Sequence, residues 1–213
     1  MTPNWIEPIA RFVPLVSVVM LLLIGVVWRS WLQRKRYGTW GIVHVGLVEP
    51  VQAVTVGSLV LAFVLLGGEA FAAALRPADV HLLVRLSPHS ALIASTLGAT
   101  ILAGGFALLV AAQLAMGSSW RIGIDHRSMP GLVDTGPFRL CRNPIYLALL
   151  VIIAGYLALL PTWTSVLVWA GTYLGVRLQI GAEETYLQRI YGEAYHVYAQ
   201  RVGRLLPGIG RHR

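Results

Sequence analysis

Apolar positions fall into long uncharged runs separated by short polar clusters. Residues 12–28 carry no charge, 41–68 carry only Glu49, 90–117 carry none, and 144–176 carry none. An apolar core of about 30 Å needs about 20 helical residues to cross at 1.5 Å each, so each of the first three runs is long enough to span once its flanks are added. The fourth run would overrun the core as one helix, and Leu160-Pro161-Thr162 sits near its middle, where proline favours a break. It therefore reads as a hairpin. The pattern predicts an all-α membrane bundle forming one domain, 1–213. Its spans lie near 10–30, 42–67, 90–116, 144–160 and 162–178, with a further helix near 182–200 outside the membrane. Between the second and third spans Glu69, Arg76, Asp79 and Arg85 cancel, and Leu75, Leu82, Leu83 and Leu86 are expected to form one short interfacial face.

Composition sharpens this picture. Of 213 residues 56% are hydrophobic and 12% charged, with mean hydropathy +0.68, well beyond a soluble domain. The net charge is +8 and all but one of the 17 basic residues are arginine. With the N-terminus outside, the connections 29–40, 117–142 and 177–213 hold fourteen basic residues and the outer ones three. The positive-inside rule thus expects an integral membrane protein, N-terminus outside and C-terminus cytoplasmic, in a bacterial-type cell membrane. Arg29, Arg34, Lys35 and Arg36 follow the first apolar run, the order of an anchor and not of a cleaved signal peptide. No long basic face with interleaved aromatics exists to track phosphates, so nucleic acid is not an expected partner. Cys141 is the single cysteine, which excludes an intrachain disulfide, and the six histidines lack the paired spacing of a zinc site. No metal is expected. Absence of a repeat or of paired broken spans counts against a secondary transporter.

The two most polar segments, 117–142 and 177–213, fall on one side of the membrane, and chemistry is expected there. The first contains Gly136-Pro137-Phe138 and leads into Arg142-Asn143-Pro144-Ile145-Tyr146 at the start of a span. After the hairpin come Glu183-Glu184, then Tyr191-Gly192-Glu193-Ala194-Tyr195 and Tyr198, then Arg201-Val202-Gly203-Arg204-Leu205-Leu206-Pro207. This ordered combination, over roughly residues 113–207, resembles the membrane methyltransferases of the isoprenylcysteine carboxyl methyltransferase and phospholipid methyltransferase group. Where that group commonly reads Arg-His-Pro and Gly-Pro-Tyr, this chain has Asn143 and Phe138.

The resemblance implies an enzyme that binds S-adenosylmethionine, releases S-adenosylhomocysteine, and methylates a lipophilic acceptor drawn from the bilayer at the cytoplasmic face. The acceptor is a prenylcysteine-like carboxylate, a phospholipid amine, or a small hydrophobic thiol or lipid. The cofactor site is expected between the Arg-x-Pro-x-Tyr segment and the C-terminal helix, from Gly136, Pro137, Arg142, Asn143, Tyr146, Glu183, Glu184, Leu187 and Tyr195. The residue types agree with that chemistry, since a sulfonium, an ammonium, a carboxylate and an adenine need acidic acceptors, anion donors and aromatic surfaces. Glu183 and Glu184 stand after Gly181 at the expected start of the last helix, where the simpler role is favourable charge against the helix dipole. Arg142 is a candidate catalytic residue, orienting a carboxylate through bidentate hydrogen bonds. Arg139 is read either in this way or as a positive-inside anchor.

Leu187, Tyr191, Tyr195 and Tyr198 recur at helical spacing and are expected on one face, as a cofactor wall or an interfacial belt. Glu49, an ionisable residue within a span, is the second candidate catalytic residue. With His44 and Gln52 it either lines the acceptor cavity or pairs with an arginine. Trp120, Arg121, Asp125, His126 and Arg127 form a polar loop that is either surface charge or a cover for the site. Asn143 cannot accept a proton as a base, which leans toward an acceptor needing none, although Glu49, a tyrosine or water could serve. Gly98, Gly104 and Gly105 permit close helix packing within or between chains. Membrane lipids are the other expected partner, and no obligate protein partner is evident. The alternative is a membrane binding or sensor protein that keeps the framework without catalysis.

Overall fold

A computed structural model describes residues 8–42, 50–84, 86–121 and 131–211. Seven α-helices occur among them: α1 (Pro8–Leu22), α2 (Arg29–Tyr37), α3 (Pro50–Leu75), α4 (Pro88–Met116), α5 (Pro144–Leu159), α6 (Trp163–Tyr191) and α7 (Glu193–Arg201). The described residues form no strand, and Cys141 and Gly203 make an isolated parallel bridge. Three helical stretches, Pro8–Tyr37, Val54–Leu75 and Pro88–Ser119, are long and apolar enough to cross a membrane, and α5 is a shorter apolar helix. Side chains such as Val60, Val64, Leu167 and Leu174 are more than half exposed on the bundle's outside, the arrangement of an integral membrane bundle whose outer face meets lipid.

α1 runs into α2 through a π-helical stretch, Leu23–Trp28, where Gln113 of α4 donates to the Gly25 carbonyl at 2.9 Å. An apolar cavity of about 340 Å³, lined by Leu23, Ile24, Trp28 and Val110, opens beside it. The next residue, Arg29, is 1% exposed. It donates from Nε to the Gln113 carbonyl at 3.2 Å and from Nη2 to the Gly117 carbonyl at 2.6 Å. Its Nη1 donates to Gln33 at 2.8 Å, and its guanidinium lies 4.7 Å from the Trp120 ring centroid. Arg29 thereby satisfies carbonyls at the end of α4 and sets a positive charge at the negative end of that helix. Trp120, expected in a surface loop, is buried beneath it at 3% exposure.

Several boundaries are corrected. The first helix runs beyond 10–30, through the basic cluster to Tyr37. The second is described from Pro50, where proline suits the first turn of a helix, and residues 41–42 are not helical. Glu69 then falls inside α3 instead of in a connection, where it accepts hydrogen bonds from Thr162 Oγ1 at 2.5 Å and Tyr156 OH at 3.1 Å. Leu82, Leu83 and Leu86 lie outside any helix. Among the described residues between α3 and α4 the regular structure is the short turn Pro77–Asp79, and the Leu83 N–H donates to the Pro161 carbonyl at 2.8 Å.

The hairpin forms as expected, broken at Leu160-Pro161-Thr162. Thr162 and Ser165 build a capping box that starts α6. α6 does not stop at 178; it continues through Gly181 to Tyr191, so Glu183 and Glu184 sit within a long helix and not at a helix start. One glycine inside a helix costs only about 1 kcal/mol relative to alanine, less than the packing of Val176, Ile180 and Glu184 returns. The break comes instead at Gly192, whose φ of 51° other residues rarely adopt.

α4 and α5 form the tightest contact. A Cβ at Gly98 would lie 2.9 Å from Leu159 Cγ, one at Gly105 would lie 2.7 Å from Ile152 Cγ1, and one at Gly155 would lie 2.9 Å from the Gly98 carbonyl. Backbones therefore approach closely, the small-residue packing typical of membrane helices, and Gly98 and Gly105 serve it within the chain. Gly104 has open space.

Candidate active site

At the head of α5, proline again opens the helix, which leaves Arg142 and Asn143 just before it, beside the end of α7. Arg142 is buried, its side chain 2% exposed. Its Nε and Nη2 both donate to Glu184 Oε1, at 3.1 and 2.8 Å. Its Nη1 donates to the carbonyls of Ala199 and Val202, at 2.9 and 2.7 Å, and Nη2 also reaches the Gly210 carbonyl at 3.1 Å. A guanidinium has five N–H donors, and these five bonds use its full capacity. Glu184 is closed from the other side by Arg204, which donates to Oε1 from Nε at 3.2 Å and to Oε2 from Nη2. The bidentate capacity expected of Arg142 for a ligand is committed to protein acceptors.

Asn143 also holds the C-terminal segment, its Nδ2 donating to the Arg204 carbonyl at 3.0 Å. The Arg142 N–H donates to the Gly203 carbonyl at 2.8 Å. A Cβ at Gly203 would lie 2.0 Å from the Leu206 carbonyl, so the loop after α7 closes only around glycine. Gly136 and Pro137 open the 3-10 turn Gly136–Arg139, whose Phe138 is buried. Tyr198 OH donates to the Phe138 carbonyl at 2.8 Å, tying that turn to α7. Arg139 is exposed.

The tyrosine series is corrected in its geometry. Leu187 and Tyr191 belong to α6 and Tyr195 and Tyr198 to α7, across the Gly192 elbow, so the four do not share one helical face. They still meet in one cluster with Ala199, Val202 and Leu132. Burial raises the Tyr195 and Tyr198 phenols above their ordinary range, helped at Tyr195 by the Glu184 carboxylate, so both stay neutral at physiological pH.

Glu183 has quite different surroundings. Its Oε1 accepts from Tyr146 OH and from Gln179 Nε2, the latter at 2.9 Å. Among the described residues no cation pairs with it. Tyr146 packs beside Leu205 against Leu150, Val176 and Ile180. Gln179 is 5% exposed and its Oε1 accepts no hydrogen bond among the described residues.

The structure thus brings together Arg142, Asn143, Tyr146, Glu183, Glu184, Leu187 and Tyr195 at the junction of α5, α6, α7 and the C-terminal loop, while Gly136 and Pro137 stand in a turn against the end of α4, joined to α7 through Phe138 and Tyr198. Glu49 and His44 lie outside the described residues, as do Asp125, His126 and Arg127 of the loop expected to cover the site. Gln52 falls in the first turn of α3. Reasoning from sequence missed Arg204 and Gln179 as site residues. Arg204 stood within the quoted motif, whereas Gln179 reveals itself only by lying one helical turn before Glu183. The described residues hold no cluster of His, Cys, Asp and Glu able to bind a metal.

Residues 93–194 match the phospholipid methyltransferase family. No curated protein matches the chain. A solved structure of the eukaryotic intramembrane Ras methyltransferase ICMT (isoprenylcysteine carboxyl methyltransferase), without a monobody, has a similar fold. The likeness covers 99% of this chain and 71% of that one, at 18% identity and TM-score 0.63. These findings support the resemblance read from residues 113–207 and agree with a membrane methyltransferase.

Proposed function

We propose, from the premise that residues 93–194 form a phospholipid methyltransferase family segment within a membrane helical bundle, that this protein methylates a lipophilic acceptor using S-adenosylmethionine. The reaction takes place at the cytoplasmic face. One observation carries the reading: the motifs scattered over 136–204 are joined by direct bonds, Tyr198 to Phe138, Arg142 to Glu184, and Tyr146 to Glu183.

Within this reading Arg142, Asn143, Glu184 and Arg204 are positioning residues. They fix the head of α5 against α6 and the C-terminal loop. Glu184 sets one negative charge between two arginines in a largely buried network, where removal of one partner is far more costly than the pair is favourable. Gly136 and Pro137, with Leu187 and Tyr195, supply the turn and the apolar and aromatic surface for an adenosine. Glu183 supplies the negative charge that a cationic donor needs, since Glu184 is already neutralised by two arginines. Tyr146 aims that carboxylate. When bound, S-adenosylmethionine supplies an electrophilic methyl group on a sulfonium. The chain's own contribution is orientation and exclusion of water, which favours a near-attack arrangement. A catalytic part for Glu49 rests on its place in the sequence alone.

The test is binding of S-adenosylhomocysteine to detergent-purified protein by calorimetry, with Glu183→Gln and Glu184→Gln beside the wild type. Saturable binding, weakened about tenfold by Glu183→Gln, is expected. A folded wild type that does not bind, in detergent or in nanodiscs, refutes the assignment and favours the non-catalytic alternative.

A further inference from the structure

The passage from α1 into α2 sets an apolar cleft and a cation on one line. The wide turn of the π-helical stretch Leu23–Trp28 places Leu23, Ile24 and Trp28 together, and with Val110 of α4 they line the cleft of about 340 Å³. That volume is at the small end of ligand clefts, and every lining side chain is apolar. Leu23 is exposed on its rim, so the cleft faces the lipid side of the bundle. Trp31 and Lys35 follow Trp28 at three and seven residues and continue the same face toward the end of α2. Lys35 Nζ lies 5.1 Å from the centroid of the exposed Trp31 ring. No acidic residue occurs in 29–42, and among the described residues no carboxylate pairs with Lys35. The rest of the basic cluster is differently placed, since Arg29 is buried against α4 and Arg34 donates to the Gly38 carbonyl. Arg36 adds a second exposed cation beside Lys35.

From Ile24 to Lys35 the helix rises about 16 Å at 1.5 Å per residue, close to the roughly 15 Å of hydrocarbon in one leaflet. A molecule that reaches both ends therefore has an anionic head and an apolar tail about one leaflet long. We infer that this face of α1 and α2, with Val110, binds one anionic phospholipid, its phosphate on Lys35 and an acyl chain in the cleft. The lipid is a bound partner and not the methyl acceptor, because the cleft belongs to α1 and α4, apart from the junction of α5, α6 and α7. Phosphate oxygens accept the ammonium N–H donors in charge-assisted bonds, and Trp31 stands at the interfacial depth that indoles favour. A choline head group brings a cation of its own against Lys35 and Arg36 and is the weaker occupant. Positive-inside bias accounts for basic residues in this connection, but it does not set an ammonium over an indole in line with an apolar cleft.

The experiment places the full-length protein in micelles holding phosphatidylglycerol and phosphatidylcholine in equal amounts and counts the lipid retained by native mass spectrometry. The wild type is expected to keep one phosphatidylglycerol with about fivefold preference. Lys35→Gln is expected to abolish that preference while phosphatidylcholine retention stays the same, and Val110→Phe, which fills the cleft, to lower retention of both lipids. Arg189→Gln removes an exposed cation of α6 and is expected to behave as the wild type. Equal retention of the two lipids by the wild type, or a preference that survives Lys35→Gln, overturns the site. Unchanged retention in Val110→Phe overturns the place given to the acyl chain. A loss of preference in Arg189→Gln as large as in Lys35→Gln assigns the effect to diffuse surface charge and overturns the site as well.

Discussion

Glu183 and Glu184 are neighbours in sequence and opposites in structure. Glu184 lies between Arg142 and Arg204, with both oxygens engaged and its side chain 8% exposed. Glu183 points to Tyr146 and Gln179, two neutral donors, and among the described residues meets no cation. Adjacent residues on a helix point about 100° apart, so a doublet of glutamates on one continuous α6 must address two different environments. A saturated charge belongs to the framework, whereas an unsaturated one is available to a ligand.

That contrast can be broken by substitutions that ought to separate stability from binding. The largest effect is expected from Arg142→Ala, which leaves Glu184 to the partly exposed Arg204 alone and releases the carbonyls of Ala199, Val202 and Gly210. A loss of about 3–5 kcal/mol should appear as a lowered thermal midpoint in detergent and as proteolysis of the C-terminal segment. Glu184→Gln leaves two arginines facing a neutral amide and should lose about 3 kcal/mol by the same midpoint. Both variants would then bind S-adenosylhomocysteine poorly only as far as they unfold. Glu183→Gln should invert the pattern, with a midpoint unchanged within about 0.5 kcal/mol and cofactor affinity reduced about tenfold. A midpoint shift as large as that of Glu184→Gln would erase the distinction. Arg204→Ala, whose partner keeps Arg142 and whose own side chain is about a third exposed, should cost about 1 kcal/mol.

Long-range features of the fold were legible because bilayer thickness imposes run lengths that uncharged residues display directly. The hairpin break at Pro161 and the Gly98 and Gly105 packing positions followed from the same physics. Boundaries were less legible where two weak signals competed. Gly181 looked like a helix end because glycine is a poor helix former, yet α6 continued through it, and only Gly192, with φ of 51°, ended the helix. Glu69 appeared to lie in a connection because nothing in the sequence shows that Tyr156 and Thr162 would solvate it. For the site, motif order identified which segments meet, but not which donor serves which acceptor. Arg142 looked available to a ligand carboxylate until its five donors were matched with protein acceptors 42 to 68 positions away. Such partners have no local signature.

The closure of Arg142 also sets an order of events during synthesis. Its backbone acceptors at Ala199, Val202 and Gly210 follow it by 57 to 68 residues. At about 5–20 residues per second, the ribosome needs roughly 3 to 14 seconds to supply them. Throughout that interval α5 and α6 exist without their latch, and the arginine at the head of α5 must remain hydrated at the membrane surface. The junction of α5, α6 and α7 is therefore assembled last, by a segment that arrives after the helices it joins.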